Sequence, residues 1–396
     1  MADQSTFSAG IEILQELIKI DSVNPVLVPG GAGESHIARY LFELLKARGI
    51  KTELLEIAPG RFNVVAGIRG NRSGPRVLLN GHLDTVGVEG MKAPFLPIRR
   101  NGRIYGRGSQ DMKSGIAAAV AAFLELHREP SSFLGEVVLS AVADEEDKSI
   151  GTQTFLADWP PDQPFDFALV MEPSDLKVCT CHKGFAWLEV HTQGIAAHGS
   201  RPREGVDAIR AMGEVLLELE KLDEELQLRP THPLLGSGSL HASMIQGGRE
   251  WSSYPDHCYL KYERRTVPGE SDKRVAQELQ QLLSALKNRV PHFEATGSIS
   301  YSRNPFETSP DLVCHQCFFQ VARRLLPDLV EWGAVTFWTD AALLAEAGIP
   351  TLVFGPRGAG LHSLEEYVIA SDVAACASVI CEFVRNFGPG LSSGSR

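Results

Sequence analysis

The sequence predicts an α/β protein with a mostly parallel sheet flanked by helices, interrupted by an inserted α+β domain. Three observations predict it. Apolar strand-like runs alternate with helical spacing over residues 51–172 and again after 312, the order of a parallel sheet. The middle third instead reads strand, helix, strand, strand, helix, strand, which is the ferredoxin-like order. With 396 residues the chain is too long for one ordinary core and suits two domains. The expected division is 1–178 with 304–396 for the first domain and 179–303 for the insert.

Taken in order, residues 11–20 and 35–48 place apolar side chains at helical spacing, and Asn24-Pro25 and Pro29-Gly30-Gly31 mark a loop between them. Residues 51–57 and 62–68 read as strands. Val77-Leu78-Leu79 opens a buried strand that ends by delivering His82 and Asp84, which an extended segment points to one face. His82 is thereby a candidate metal ligand, and Asp84 a carboxylate placed to take its other ring proton. Alone, such a pair at a strand end is more often structural. The loop 87–108 contains Pro94, Pro97 and several glycines, and a loop of that length is usually functional. It continues through Gly106-Arg107-Gly108-Ser109-Gln110-Asp111 into an Ala-rich helix at 116–127. Asp111 at that entrance suits a helix N-cap as well as a ligand.

Strand 136–142 ends in Asp144-Glu145-Glu146. Three adjacent acids usually mean a solvated loop, but these sit at the mouth of an apolar strand. Strand 165–171 ends in Glu172. The insert follows, with strands at 184–192, 240–245, 258–264 and 292–301 and helices at 205–222 and 272–288. A helix at 312–326 and a short strand at 351–354 return to the first domain, and a Gly-rich loop then leads to His362. In open α/β sheets, ligands bind beyond the carboxyl ends of the strands. His82, Glu145, Glu146 and Glu172 lie just past such ends, and Asp111 and His362 lie in loops that follow them.

Composition narrows the function classes. The chain is 43% hydrophobic and 22% charged, hence globular, and its net charge of −11 argues against nucleic acid or anionic membrane as a partner. Residues 1–6 lack the basic start and apolar run of a targeting segment, and no stretch of about 18 apolar residues exists to span a membrane. Seven cysteines, an odd count in a large chain, indicate reduced thiols and a cytoplasmic setting. Cys179 with Cys181, and Cys314 with Cys317, have metal-like spacing but read as packing residues. The Gly/Ser-rich tail 389–396 is expected to fray.

The candidates are His82, Asp111, Glu146, Glu172 and His362. Two imidazoles and three carboxylates suit zinc, with cobalt or manganese as alternatives. Five ligands exceed the three protein ligands usual for one catalytic zinc. They suit a pair of ions about 3.5–4 Å apart bridged by one carboxylate. Glu145, adjacent to a ligand, is placed to reach a reacting water without binding metal, the position of a general base.

The stretches Gly81-His82-Leu83-Asp84-Thr85-Val86, Gly106 to Lys113, Asp144-Glu145-Glu146, Met171-Glu172-Pro173-Ser174 and His362 together resemble the dinuclear zinc amidohydrolase and peptidase family. That family includes acetylornithine deacetylase, succinyl-diaminopimelate desuccinylase, aminoacylase and glutamate carboxypeptidase. The resemblance covers nearly the whole chain in the right order. It implies a zinc-exopeptidase-like sheet with an inserted dimerisation (lid) domain, and two Zn2+ per subunit, Co2+ or Mn2+ being possible. It implies that His82 and Glu172 hold one ion, Glu146 and His362 the other, that Asp111 bridges them, that Asp84 orients His82, and that Glu145 is the base. Ala197-His198-Gly199-Ser200-Arg201-Pro202 resembles the family motif whose histidine reaches the partner subunit's site, which implies a homodimer and an oxyanion role for His198. Arg265 occupies the matching position for an arginine that binds a substrate carboxylate. In a continuing strand Arg264 points the other way.

The implied reaction is dizinc-dependent hydrolysis of the amide bond of a small N-acylated amino acid, as in acetylornithine deacetylase or succinyl-diaminopimelate desuccinylase. The runner-up is a carboxypeptidase acting on short peptides or an N-acyl glutamate, and a further alternative is a silent relative that binds without turnover. The resemblance departs at Trp251-Ser252-Ser253-Tyr254-Pro255, where the family often has Asn, and at Gly87, where Pro often stands. Both departures concern the substrate pocket and not the ligand set.

Overall fold

In the computed structural model, which describes residues 4–229 and 231–388, the chain begins with two amphipathic helices, α1 (Gln4–Lys19) and α2 (Ser35–Lys46). The tail 389–396 lies outside the described residues. Helix α2 buries Ile37, Ala38, Leu41 and Leu45, one stripe at i, i+4 and i+8 with its neighbour. Then come β1 (Lys51–Ala58), β2 (Arg61–Arg69), β3 (Arg76–His82), β4 (Ile98–Arg100), β5 (Arg103–Tyr105), α3 (Lys113–Arg128), β6 (Glu136–Val142), α4 (Ile150–Asp158), β7 (Phe167–Val170) and β8 (Val178–His182). The insert supplies β9 (Gly184–Gln193), α5 (Ala208–Gln227), β10 (Ser239–Gly247), β11 (His257–Thr266), α6 (Asp272–Arg289) and β12 (Glu294–Arg303). The chain closes with β13 (Phe306–Glu307), α7 (Val313–Leu325), β14 (Trp332–Val335), α8 (Ala341–Glu346), β15 (Thr351–Val353), β16 (Gly358–Ala359), β17 (Tyr367–Ile369) and α9 (Ala370–Asn386).

The large sheet runs β1-β2-β6-β3-β7-β15-β8-β13, with β14 also on β8. Its centre, β6-β3-β7-β15, is parallel. Its flanks are antiparallel, so the sheet is mixed around a parallel heart. Strand β3 is buried on both faces from Val77 to His82, which explains its unbroken apolar run. Helices α1, α3 and α9 carry much of the covering core, with the alanines of α3 at 117–122 buried alongside Leu14, Leu17, Ile380 and Val384. Small side chains let α3 lie close to its neighbours.

The loop 87–108 holds structure that the sequence reading left unassigned. Strands β4 and β5 form a hairpin closed by Asn101-Gly102, both at positive φ (51° and 74°), which suits a type I′ turn. That hairpin joins β17 and β16 in a separate four-stranded sheet. Met91, Leu96, Ile98 and Tyr105, with Leu364 and Glu366, are among the residues that line a cavity of about 410 Å3.

The chain divides into two compact units. One takes in the chain up to Thr180, Thr308–Ala334 and the part from Thr339 onward; the other is Cys181–Glu307 with Val335–Trp338. In the second unit the sheet order is β10-β11-β9-β12, antiparallel throughout. Its covered face packs Leu188, Val190, Leu260 and Tyr262 with Met212 and Val215 of α5 and Leu279 and Leu283 of α6. Asp207 and Ser271 cap these helices by accepting from Arg210 N and Arg274 N. Among the described residues, no helix is long and apolar enough to cross a membrane.

Candidate active site

Six of the residues singled out by sequence converge at the carboxyl ends of the parallel strands. His82 closes β3, Asp111 precedes α3, Glu145 and Glu146 follow β6, Glu172 follows β7, and His362 lies in the loop after β16. His82 Nε2 is 3.1 Å from Asp111 Oδ1 and 3.5 Å from Glu172 Oε1. His362 Nε2 is 3.3 Å from Asp111 Oδ2 and 3.1 Å from Glu146 Oε2. Two groups of ligand-type atoms result, His82–Asp111–Glu172 and Asp111–Glu146–His362, each within 4.8 Å of one another. Asp111 belongs to both, one carboxylate oxygen toward each histidine. Glu145 belongs to neither, yet its Oε2 is 3.9 Å from His82 Nε2. Asp111 does not cap α3; Met112 holds that position, no side chain caps it, and the Asp111–Met112 peptide bond is cis.

The ring of His82 is fixed from behind. Its Nδ1 is 3.0 Å from the main-chain carbonyl of Asp84 and 3.6 Å from the Asp84 carboxylate. The ring proton expected on the carboxylate therefore has a nearer acceptor in the carbonyl two residues on. Donation there leaves the Nε2 lone pair facing the cluster. The Asp84 carboxylate works elsewhere: it accepts from Asn24 Nδ2 at 2.8 Å, Glu145 N at 3.1 Å and Glu146 N at 3.2 Å. It thus fixes the turn that presents both glutamates. That turn has further support, because Asp144, at φ 68°, accepts from Arg61 Nη2 and Asn24 Nδ2, while Arg61 forms a two-pronged pair with buried Glu34.

The electrostatics are those of crowded, buried acids. Burial pushes the Glu145, Glu146 and Glu172 carboxyls up, and neighbouring carboxylates push the same way. Burial also opposes charge on His82, but the Asp111 hydrogen bond and the charges of Glu172 and Glu145 outweigh it and raise the imidazole well above its ordinary value. The hydrogen bonds to Asp111 and Glu146 push His362 up to about 10. Asp111 is held far below the carboxylate range, its burial outweighed by the hydrogen bonds of His362 and His82.

The residues present fit a metal pair. Glu146 Oε1 is buried without a hydrogen-bond partner, four carboxylates outnumber two imidazoles, and the donors fall into two groups sharing Asp111. Nitrogen and carboxylate donors suit zinc, cobalt or manganese. Neither cysteine pair belongs to such a group among the described residues. None of the seven cysteines is in a disulfide.

Sequence reasoning missed Asp340, Thr152 and Asn80 beneath the site. Thr152 Oγ1 donates to Asp340 Oδ2 at 2.6 Å, Asn80 Nδ2 donates to Thr152 Oγ1 at 3.2 Å, and burial pushes the Asp340 carboxyl up to about 6. Asp340 stands at the start of α8, where an acid reads as an ordinary helix start.

His198 and Arg265 belong to the second unit. His198 is exposed and its Nδ1 is 2.8 Å from Ser200 Oγ. Arg265 lies on the sheet face opposite the helices, its Nε donating to Glu263 at 2.6 Å and its guanidinium 5.4 Å from the Phe185 ring centroid. Arg264 faces the core, almost wholly buried, and pairs with Glu270 and Glu278.

Known proteins resemble this chain over nearly its whole length. Acetylornithine deacetylase of Vibrio atlanticus is 27% identical over 391 residues, covering 95% of this chain and 98% of the relative. N-formyl-4-amino-5-aminomethyl-2-methylpyrimidine deformylase of Bacillus subtilis is 27% identical over 409 residues, covering 94% and 93%. A crystal structure described as a dinuclear metal binding peptidase from the M20 family, from Bacillus subtilis, superposes with a TM-score of 0.75 at 15% identity over 97% of this chain and 98% of that one. The profile of peptidase family M20/M25/M40 matches residues 78–386, so the chain belongs to that family of metal-dependent peptidases and amidohydrolases.

Proposed function

We propose that the protein hydrolyses the amide bond of a small N-acylated amino acid, in the manner of acetylornithine deacetylase and succinyl-diaminopimelate desuccinylase, with two Zn2+ per subunit. The observation that carries this reading is the pair of ligand groups sharing Asp111, with Glu145 beside them and in neither. His82 and Glu172 would hold one ion and Glu146 and His362 the other, with Asp111 shared by the two groups. When bound, such a pair polarises the scissile carbonyl and lowers the pKa of the attacking water. Glu145, raised by burial, takes the proton of that water and returns it to the leaving amine nitrogen. Asp84 keeps Glu145 and Glu146 in register through their main-chain N–H groups. Arg265 binds the substrate carboxylate, and His198 of one subunit stabilises the oxyanion in the site of a second copy, which makes the working form a homodimer. The chain's −11 charge makes such a local cation useful for an anionic substrate. Seven cysteines without a disulfide support a cytoplasmic location.

The test is turnover by metal-stripped protein before and after adding Zn2+ or Co2+. The panel holds N-acetylornithine, N-succinyl-diaminopimelate, N-acetyl-methionine, an N-formyl aminomethylpyrimidine and a dipeptide ending in glutamate. Metal-dependent hydrolysis of an N-acyl amino acid is expected. Cleavage of the dipeptide alone turns the reading to a carboxypeptidase. No turnover with two metals bound places the substrate outside this panel or turns the reading to a silent binding relative.

A further inference from the structure

We infer that Glu366 is a positioning residue that builds the bridging ligand into the site; this rests on the dinuclear reading above. Its carboxylate is buried and aimed at backbone. Oε1 accepts from Gln110 N at 2.7 Å and Asp111 N at 3.0 Å, and Oε2 accepts from Gly108 N at 2.9 Å and Arg107 Nη1 at 2.7 Å. Four donors converge on one side chain, three of them main-chain groups of the loop that ends in Asp111. Arg107 extends the same clasp. Its Nε and Nη2 donate to Gly87 O at 3.1 and 3.0 Å, and Nη2 also donates to Ser363 O at 3.1 Å. Gly87 lies three residues beyond Asp84, and Ser363 follows His362. One buried ion pair therefore touches the three loops that carry His82 with Asp84, Asp111, and His362. Arg107 is 3% exposed and Glu366 1%, so water does not compete for these bonds.

Charge, and not only shape, is required here. A carboxylate accepts on both oxygens, whereas a glutamine amide accepts on one and presents N–H groups on the other. Glutamine at 366 would keep one pair of donors and oppose the second pair. Asp111 would then lose the fixed main chain that lets its two oxygens face His82 and His362 separately.

The experiment uses the full chain, stripped of metal and titrated with Co2+, reading stoichiometry, affinity and the visible cobalt spectrum. The parent must first bind two ions per chain; fewer would remove the dinuclear reading itself, before any variant is compared. Glu366→Gln is then expected to keep the parent's circular dichroism, to bind the second ion about 10–100-fold more weakly, and to show an altered cobalt spectrum. Glu366→Gln leaves Arg107 without its carboxylate, so the double variant Arg107→Met with Glu366→Gln is measured beside it; it removes both charges together. The same loss of second-ion affinity is expected there. Parent-like affinity and spectrum in either folded variant would overturn the proposal. So would failure of both variants to fold, since Glu366 would then serve the fold and not the bridge.

Discussion

At the residue scale, the site divides into groups that face the reaction and groups that hold them. Glu145 faces it. Glu145→Gln keeps the size and the main-chain bond to Asp84 and removes the basic oxygen. We expect kcat to fall by about 10²–10⁴ while two metal ions per chain remain bound, counted by elemental analysis of the dialysed variant. Unchanged turnover would remove Glu145 from the base role. Asp84 holds. In Asp84→Asn one acceptor becomes a donor aimed at Asn24 or at the N–H groups of Glu145 and Glu146. Metal affinity should fall about 10–100-fold, read by titrating stripped protein; a parent-like isotherm would show that the clamp does not matter. The residue-level reading was legible where the chemistry is local. Histidine and carboxylates past apolar strands announce themselves, and so does the face-sharing of His82 and Asp84. What Asp84 does was not legible, because its partners are the Asn24 amide and two main-chain N–H groups, 60 to 62 residues away. Nothing in the sequence gives the direction of an N–H. Glu366 was hidden for the same reason, its donors lying 255 to 259 residues earlier.

At the scale of elements, the entrance of α3 shows how packing places a ligand. Gly115 lies against the main-chain carbonyl of Met171, the residue before Glu172, and a Cβ there would collide with backbone. Gly115→Ala should push α3 and the end of β7 apart, lowering both the melting temperature and the affinity for the ion shared by His82 and Glu172. Parent-like values for both would mean that the helix shifts freely. The hairpin β4–β5 was legible in principle, since Asn101-Gly102 is a strong two-residue turn signal. It was obscured because the flanking strands are three residues each and stand in a Pro- and Gly-rich loop. Helix α7 was read from its apolar spacing, but the role of His315 was not. His315 is fully buried, its Nδ1 donates to Ser309 O at 2.7 Å, and burial lowers its pKa from 6.5 to about 4. Below pH 6.5 the unfolded chain takes up a proton that the folded chain refuses until about pH 4. Stability is therefore present above pH 6.5 and is lost as the pH falls through that window, by up to about 3 kcal/mol. Urea unfolding of the metal-free parent and of His315→Gln, at pH values from 7.5 to 4.5, should show a shallower fall in the variant. Parallel curves would assign the acid sensitivity to other groups.

At the scale of the whole molecule, alternation of strands and helices was enough to give the parallel centre of the large sheet, while the second compact unit takes in Val335–Trp338 beside Cys181–Glu307, a return of the chain that no local pattern announces. The antiparallel flanks were not legible, because strand direction follows the path of the chain and not the side-chain pattern of β1, β2 or β8. The proposed homodimer makes a sharp prediction here. Mixing subunits carrying Glu145→Gln with subunits carrying His198→Ala, each inactive alone, should restore activity if His198 serves the partner subunit's site. A mixed dimer then holds one site with both groups; no recovery after confirmed subunit exchange would place His198 outside that role. The two units also differ in what stabilises each. Each has its own apolar cluster, and every candidate ligand lies in the first. An ion that binds only the folded state adds RT ln(1 + [L]/Kd), about 2.7 kcal/mol at a hundredfold excess over Kd. Removing it also leaves the carboxylates of Glu145, Glu146 and Glu172 crowded and desolvated. Calorimetry of the full chain with and without chelator should therefore move the transition of the first unit to lower temperature and leave that of the second in place. A single transition that moves as a whole would show that the two units melt as one cooperative block, and the metal pair would then stabilise the insert as well.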